Sequence, residues 1–144
     1  MESMKLNIDV KNVLNQYRQV KKMIVDLEEQ IDRLDDRIQR IKSGNISGMP
    51  RGGKTITIEN LISEKIDLER RKEKFKEIGI QKKKIVQSNI DTVISVKHNR
   101  FLTLYFIKCL SVTEIARLEE YSSRHAFRIF AEALGMVDVR LESK

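Results

Sequence analysis

An unbroken heptad repeat constrains this chain more than any other feature. Placing Val10, Tyr17, Ile24, Ile31 and Ile38 at a, and Val13, Val20, Leu27, Leu34 and Ile41 at d, gives ten apolar residues at strict 3–4 spacing. A 3.5-residue period keeps one seam of a helix against a partner, so the pattern predicts a coiled-coil helix and excludes a strand. The flanking e and g positions are mostly polar (Gln16, Lys21, Glu28, Gln30, Asp35, Arg37). The helix is expected over about residues 6–42, roughly 55 Å at 1.5 Å per residue.

Ser43-Gly-Asn-Ile-Ser-Gly-Met-Pro-Arg-Gly-Gly-Lys-Thr55 ends it, since four of the six Gly and the only Pro fall in this stretch. Gly raises the entropic cost of a helix and Pro removes a backbone donor. A loop is therefore expected over 43–56 and a second helix over about 57–96, with Thr57 as N-cap and Glu59 in its first turn. Its apolar residues include Ile58, Leu61, Ile62, Ile66, Leu68, Phe75, Ile78, Ile85, Val86, Ile90 and Val93, and Gly79 marks an expected irregularity. Two long helices around a loop suggest an antiparallel hairpin, 1–96, for dimerisation or partner binding. The pattern leaves open whether the helices pair within one chain or between chains. The cations Arg70, Arg71, Lys72, Lys74, Lys76, Lys82, Lys83 and Lys84 could face nucleic acid. Interleaving with Glu69, Glu73 and Glu77 favours a solvated helix face instead.

Several function classes are disfavoured. Lys and Arg total 28 against 21 Asp and Glu, a net charge of +7. No apolar run reaches the ~18 residues of a membrane span, and residues 1–10 lack a signal-peptide core. No membrane partner is expected. A single Cys (Cys109) rules out an intramolecular disulfide framework, and with only two His (His98, His125) beside it no structural zinc site is expected. Gly48-Met-Pro-Arg-Gly-Gly53-Lys54-Thr55 fits the phosphate-loop pattern letter for letter. That loop works only between a buried strand and a helix, and a charged heptad helix precedes it here. No nucleophile–base pair stands out either. We expect no catalytic residues, no cofactor and no metal, and hence no enzyme.

The last third differs in kind: Phe101, Tyr105, Phe106, Tyr121, Phe127 and Phe130 are six of the eight aromatics. Three short helices are expected. The first covers about 100–108. The second starts at Ser111, where Ser111-Val-Thr-Glu114 is a capping box. The third starts at Ser122 or Ser123 and ends near Gly135, a suitable residue just past a helix end. Ile115, Ala116, Tyr121, Ala126 and Ile129 have the spacing of a helix-turn-helix core, with Ala116 small enough for the helices to cross closely. Phe127 and Phe130 are assigned to the core, with partial exposure of Phe127 toward a groove as the alternative. The outer face then carries Ser122, Ser123, Arg124, His125 and Arg128 for base or phosphate contacts, and the start of the second helix offers Ser111 and Thr113 to a phosphate. The expected fold class is all-α: a long antiparallel helical hairpin or coiled coil, then a three-helix helix-turn-helix domain over 97–144.

Residues 100–134, through Leu110-Ser-Val-Thr-Glu-Ile-Ala and Tyr121-Ser-Ser-Arg-His-Ala-Phe-Arg-Ile, resemble the domain of bacterial sigma factors that reads the −35 element. With the long helix and Ser47-Gly-Met-Pro-Arg-Gly-Gly53 before it, the chain is similar to small phage and prophage regulators of the ArpU/RinA type. The resemblance implies a phage-encoded activator of late genes, working on double-stranded DNA in the bacterial host cytoplasm, with RNA polymerase a possible partner and the loop without a nucleotide role. Three positions depart from the pattern. Glu120 stands at the turn site usually held by Gly, and Cys109 where Gly usually precedes the second helix. Glu119 replaces an apolar residue, and Leu118 is expected to supply the missing contact. The expected function is sequence-specific DNA binding by a homo-oligomer assembled through the helical front. The alternative is a coiled-coil adaptor that binds RNA polymerase or a repressor without DNA specificity. The net charge of 97–144 is only +2, from eight basic and six acidic residues, which keeps that alternative open.

Overall fold

The computed structural model describes residues 2–44 and 57–140, with side chains from residue 10 onward. Most of the 43–56 loop, including the phosphate-loop pattern at 48–55, lies outside the described residues. The chain is all-helical: α1 (Glu2–Lys42), α2 (Ile58–Ile90), α3 (Val96–Leu102) continuing as a π-helical turn (Thr103–Ile107), α4 (Val112–Leu118) and α5 (Ser123–Met136).

Helices α1 and α2 pair within the chain and run antiparallel. Lys82 Nζ donates to Gln16 Oε1 (2.7 Å), Lys72 pairs with Glu28 (3.7 Å) and Lys65 with Asp35 (2.5 Å), so positions that rise along α1 fall along α2. Asp35 beside it holds the Lys65 ammonium above its ordinary range. The heptad reading of α1 is accurate at the seam. Val10, Val20, Ile24, Leu27, Ile31, Leu34 and Ile38 are buried, and Leu14, one place beyond a d position, is fully buried as well. Thr57 caps α2 as expected, its Oγ1 accepting from the Asn60 N–H (3.2 Å).

The contacts divide the chain into two compact units. One comprises 22–77, where Leu34, Ile38 and Leu61 form a core with Ile41 and Leu68 against it. The other joins 1–21 to 78–144, so the helix-turn-helix shares its core with one end of each long helix. That core contains Val10 and Leu14 of α1, Val86 and Ile90 of α2, and Phe101, Phe106, Ile115, Ile129 and Phe130. Phe130 is its aromatic centre, with ring centroids 5.7 Å from Phe101, 4.6 Å from Tyr105 and 5.9 Å from Phe106.

Four local expectations need correction. Helix α2 ends at Ile90, short of 96. The run Thr92-Val-Ile-Ser-Val96 is rich in β-branched residues, which fit helices poorly. Asn99 Nδ2 donates to the carbonyls of Ile90 (3.0 Å) and Val93 (3.1 Å), satisfying groups that a continued helix would have bonded. Gly79 sits buried in an uninterrupted helix, with no irregularity there. The helix expected over 100–108 begins earlier, at Val96, and widens into the π turn. Gly135 lies inside α5, which ends at Met136 with an extended Val137.

A polar clasp fixes the segment after α5. Asn89, fully buried on α2, donates from Nδ2 to the Arg140 carbonyl (2.7 Å) and accepts the Arg140 N–H at Oδ1 (2.6 Å). Thr92 Oγ1 accepts the Asp138 N–H (2.9 Å).

Candidate nucleic-acid interface

The helix-turn-helix is built by two caps and a turn. At the start of α4, Ser111 Oγ accepts the Glu114 N–H (3.1 Å) while Glu114 Oε1 accepts the Ser111 N–H (3.3 Å), the reciprocal box expected from the spacing. At the start of α5, Ser122 Oγ accepts the His125 N–H (3.2 Å). Between them, Glu120 adopts φ +60°, and the Tyr121 N–H donates back to the Ala116 carbonyl (2.8 Å). This is a Schellman cap, whose six-residue reverse bond needs a left-handed residue at its penultimate position. Ala116 and Ile115 of α4 are buried, as are Ala126 and Ile129 of α5, so the crossing expected at Ala116 is where the helices meet.

Cys109 is also left-handed, at φ +61°. The Lys108 N–H bonds the Thr103 carbonyl and the Leu110 N–H the Leu104 carbonyl, both at 3.0 Å, closing the π turn before α4. Both positions at which a Gly is absent therefore take the conformation that Gly would favour. Leu118 does not supply the missing apolar contact: it is 57% exposed. Glu119 instead turns its carboxylate to the Arg100 guanidinium, replacing an apolar contact by an ion pair.

Helix α1 reinforces the platform beneath α4. The Arg18 guanidinium lies 4.0 Å from the Tyr105 ring centroid and donates to the Leu110 carbonyl (3.3 Å) just before the α4 cap. Burial pushes the neighbouring Cys109 thiol up, opposed by the positive charges of Arg18 and Lys21.

On the outer side, Thr113, Ser122, Ser123, Arg124 and Arg128 are exposed, and Ser111 and His125 half-buried. The hydroxyls of Ser111 and Ser122 are engaged as acceptors in the caps, so toward a ligand each retains its O–H as donor. On α5, Arg124 and Arg128 stand about one turn apart; Ser111 caps α4 and Thr113 lies in its first turn. Arg128 Nη2 donates to His125 Nδ1 (2.8 Å), and Arg128 pairs with Glu132 (3.8 Å). A guanidinium only donates, so the His125 proton sits on Nε2. The His125 ring stands edge-on to Tyr121, centroids 5.1 Å apart. Glu132 in turn reaches the buried His98 Nε2 (3.2 Å), whose Nδ1 meets Ser95 Oγ (2.7 Å). The grouping Ser95–His98–Glu132 has the residue types of a nucleophilic triad. Its serine meets Nδ1 within its own helix start, and we read it as the tie between α3 and α5.

Two features escaped the sequence. Phe127, assigned to the core with exposure toward a groove as the alternative, takes the alternative at 58% exposed, whereas Phe130 is buried. The His98 link joins positions 34 residues apart, and no spacing rule reaches across that distance. Charge is also distributed unexpectedly: the unit that holds the helix-turn-helix has fifteen basic and nine acidic residues, +6, while 22–77 has thirteen and twelve.

No protein-family model, curated protein or solved structure matches the chain. Among the described residues no helix is long and apolar enough to cross a membrane, and no group of three His, Cys, Asp or Glu residues gathers to hold a metal ion.

Proposed function

We propose that the protein is a sequence-specific DNA-binding transcription regulator that inserts α5 into the major groove. This is the reading that the likeness to sigma-like phage late-gene activators also favours. One observation carries it: a helix-turn-helix with capped helices and a left-handed turn presents Ser123, Arg124 and Arg128 to solvent on its second helix. In that placement the arginines reach guanine N7 and O6, and Ser122 and Thr113 meet phosphates. The excess charge of +6 in the same unit supports the electrostatic part of binding better than the +2 of 97–144 did. The seam of α1 is spent on α2, so a second copy would have to pack elsewhere, for example on the exposed Ile62 and Ile66.

The test is selection of duplexes from a random library, followed by gel shift with wild type and with Arg124→Ala plus Arg128→Ala. Wild type should enrich a motif, and the double variant should lose it. With about four phosphate contacts, affinity should fall about a hundredfold between 50 and 200 mM salt. Equal binding by the double variant would remove α5 as the reading helix. One observation favours the adaptor reading: Ile94, just before α3, is 95% exposed and Val96, its first residue, 82%, two aliphatic side chains the core does not use. Capture of RNA polymerase by wild type but not by Ile94→Ser plus Val96→Ser, with no motif enriched, would decide for it.

A further inference from the structure

We propose that Phe127 is a base-reading residue that recognises the 5-methyl group of a thymine. The inference rests on the DNA-binding reading of α5.

Its ring is 58% exposed on a helix whose other aromatic, Phe130, is packed into a four-ring cluster with Phe101, Tyr105 and Phe106. Phe127 is not part of the buried core. More than half of the ring faces solvent, so the fold gains much less from it than from the buried Phe130. At 100° per residue, Ser123, Arg124 and Ala131 lie within about 60° of Phe127 around the helix axis, and Arg128 lies about 100° away. Ser123, Arg124, Arg128 and Ala131 are all exposed. The ring thus stands at one edge of the exposed face, between Ser123 and Arg124 and about 60° from the buried Phe130. Its other neighbour, the small Ala131, leaves room beside it.

The chemistry of the major groove selects the ligand. Its edges present acceptors and donors at every base pair and only one apolar group, the thymine methyl. A phenyl ring forms no hydrogen bonds with the polar edges and would desolvate them at a cost; against the methyl it buries apolar surface on both sides. Arg124 and Phe127 are three residues apart, about 4.5 Å along the helix axis, against about 3.4 Å between successive bases. The two residues therefore address the same or adjacent base pairs, and the bound motif should hold a thymine within about two base pairs of a guanine read by Arg124.

The experiment takes the duplex that wild type enriches from a random library and replaces each dT, one at a time, by dU, which lacks only the methyl. Loss of one buried methyl corresponds to about a fourfold change in binding constant. Wild type should weaken about fourfold at one position and by less than twofold elsewhere. Phe127→Ala should bind the dT and dU duplexes equally, while melting within a few degrees of wild type because most of its side chain faces solvent. Phe127→Leu should keep part of the discrimination. Insensitivity of wild type to every dT→dU exchange overturns the assignment, and so does unchanged discrimination by Phe127→Ala. Both can occur while a motif is still bound, so they leave the DNA-binding reading standing; failure of wild type to enrich any motif overturns that reading and the assignment with it.

Discussion

Glu120→Gly should stabilise this protein, although it removes a side chain from an ordered turn. Glu120 sits at φ +60°, where an L side chain brings Cβ against the following carbonyl at a cost of about 1–2 kcal/mol. Its side chain is exposed and contributes no packing. It also places a negative charge just past the end of α4, where the helix dipole disfavours anions by about 0.3–1 kcal/mol. Against these gains, Gly makes the unfolded chain freer by about 0.4–1 kcal/mol. The net expectation is about 1 kcal/mol of added stability, or about 3 °C in melting temperature for a chain of this length. Urea unfolding followed by circular dichroism measures it. Glu120→Ala is the necessary companion, since it removes the charge and keeps the Cβ; it should recover only the small electrostatic part. Cys109→Gly, at φ +61°, relieves the same strain but forfeits a half-buried thiol, so its gain should be smaller. If Glu120→Gly is no more stable than Glu120→Ala, the turn is not held left-handed and the Schellman geometry is wrong.

Asn89→Ala should destabilise by about 2–4 kcal/mol, because it leaves the Arg140 carbonyl and N–H without their buried partner as well as opening a small cavity; urea unfolding gives the magnitude, and faster proteolytic trimming of 137–140 shows the clasp has opened. Cys109 should react with iodoacetamide at pH 8 more slowly than a free thiol, since burial favours the neutral form and raises its pKa. The associated stability is fully present below the ordinary thiol range and is lost as pH climbs through the raised value, so wild type should lose stability relative to Cys109→Ser on going from pH 8 to pH 10. A faster reaction than the free thiol, or parallel pH profiles, would contradict this.

The parts of the fold written in local periodicity were legible. Ten heptad positions identify α1 because a seam at 3.5 spacing has few other physical uses, and all but three of them are buried. Ser111 and Glu114 identify the start of α4 because their reciprocal bonds need only a separation of three. What was missed depends on partners distant in sequence. The stop of α2 is set by Asn99 from the following helix as much as by its own residues. The choice between pairing within the chain and between chains turns on Lys82 meeting Gln16, 66 positions away, and the heptad is equally satisfied by either.

The site divides along the same line, with a consequence for how its two arginines work. Arg128 and Glu132 are an i, i+4 pair and could be anticipated on α5. The link from Glu132 to the buried His98 could not, and it turns an ordinary surface pair into one end of a chain anchored in the core. Arg128 is thereby held between His125 and Glu132, so part of the roughly 2 kcal/mol of side-chain entropy an arginine loses on binding is already spent in the free protein. Arg124 is exposed and, among the described residues, makes no ion pair, so under the proposed reading it would become ordered only on the DNA. A held guanidinium suits a contact of fixed geometry; a free one adapts to backbone or base. The acidic partner that orders Arg128 also offsets part of its charge, so under the proposed reading its contribution to a groove would lie in directed hydrogen bonds, and the long-range attraction would come from Arg124 and from the lysines that the ends of α1 and α2 bring into the same unit.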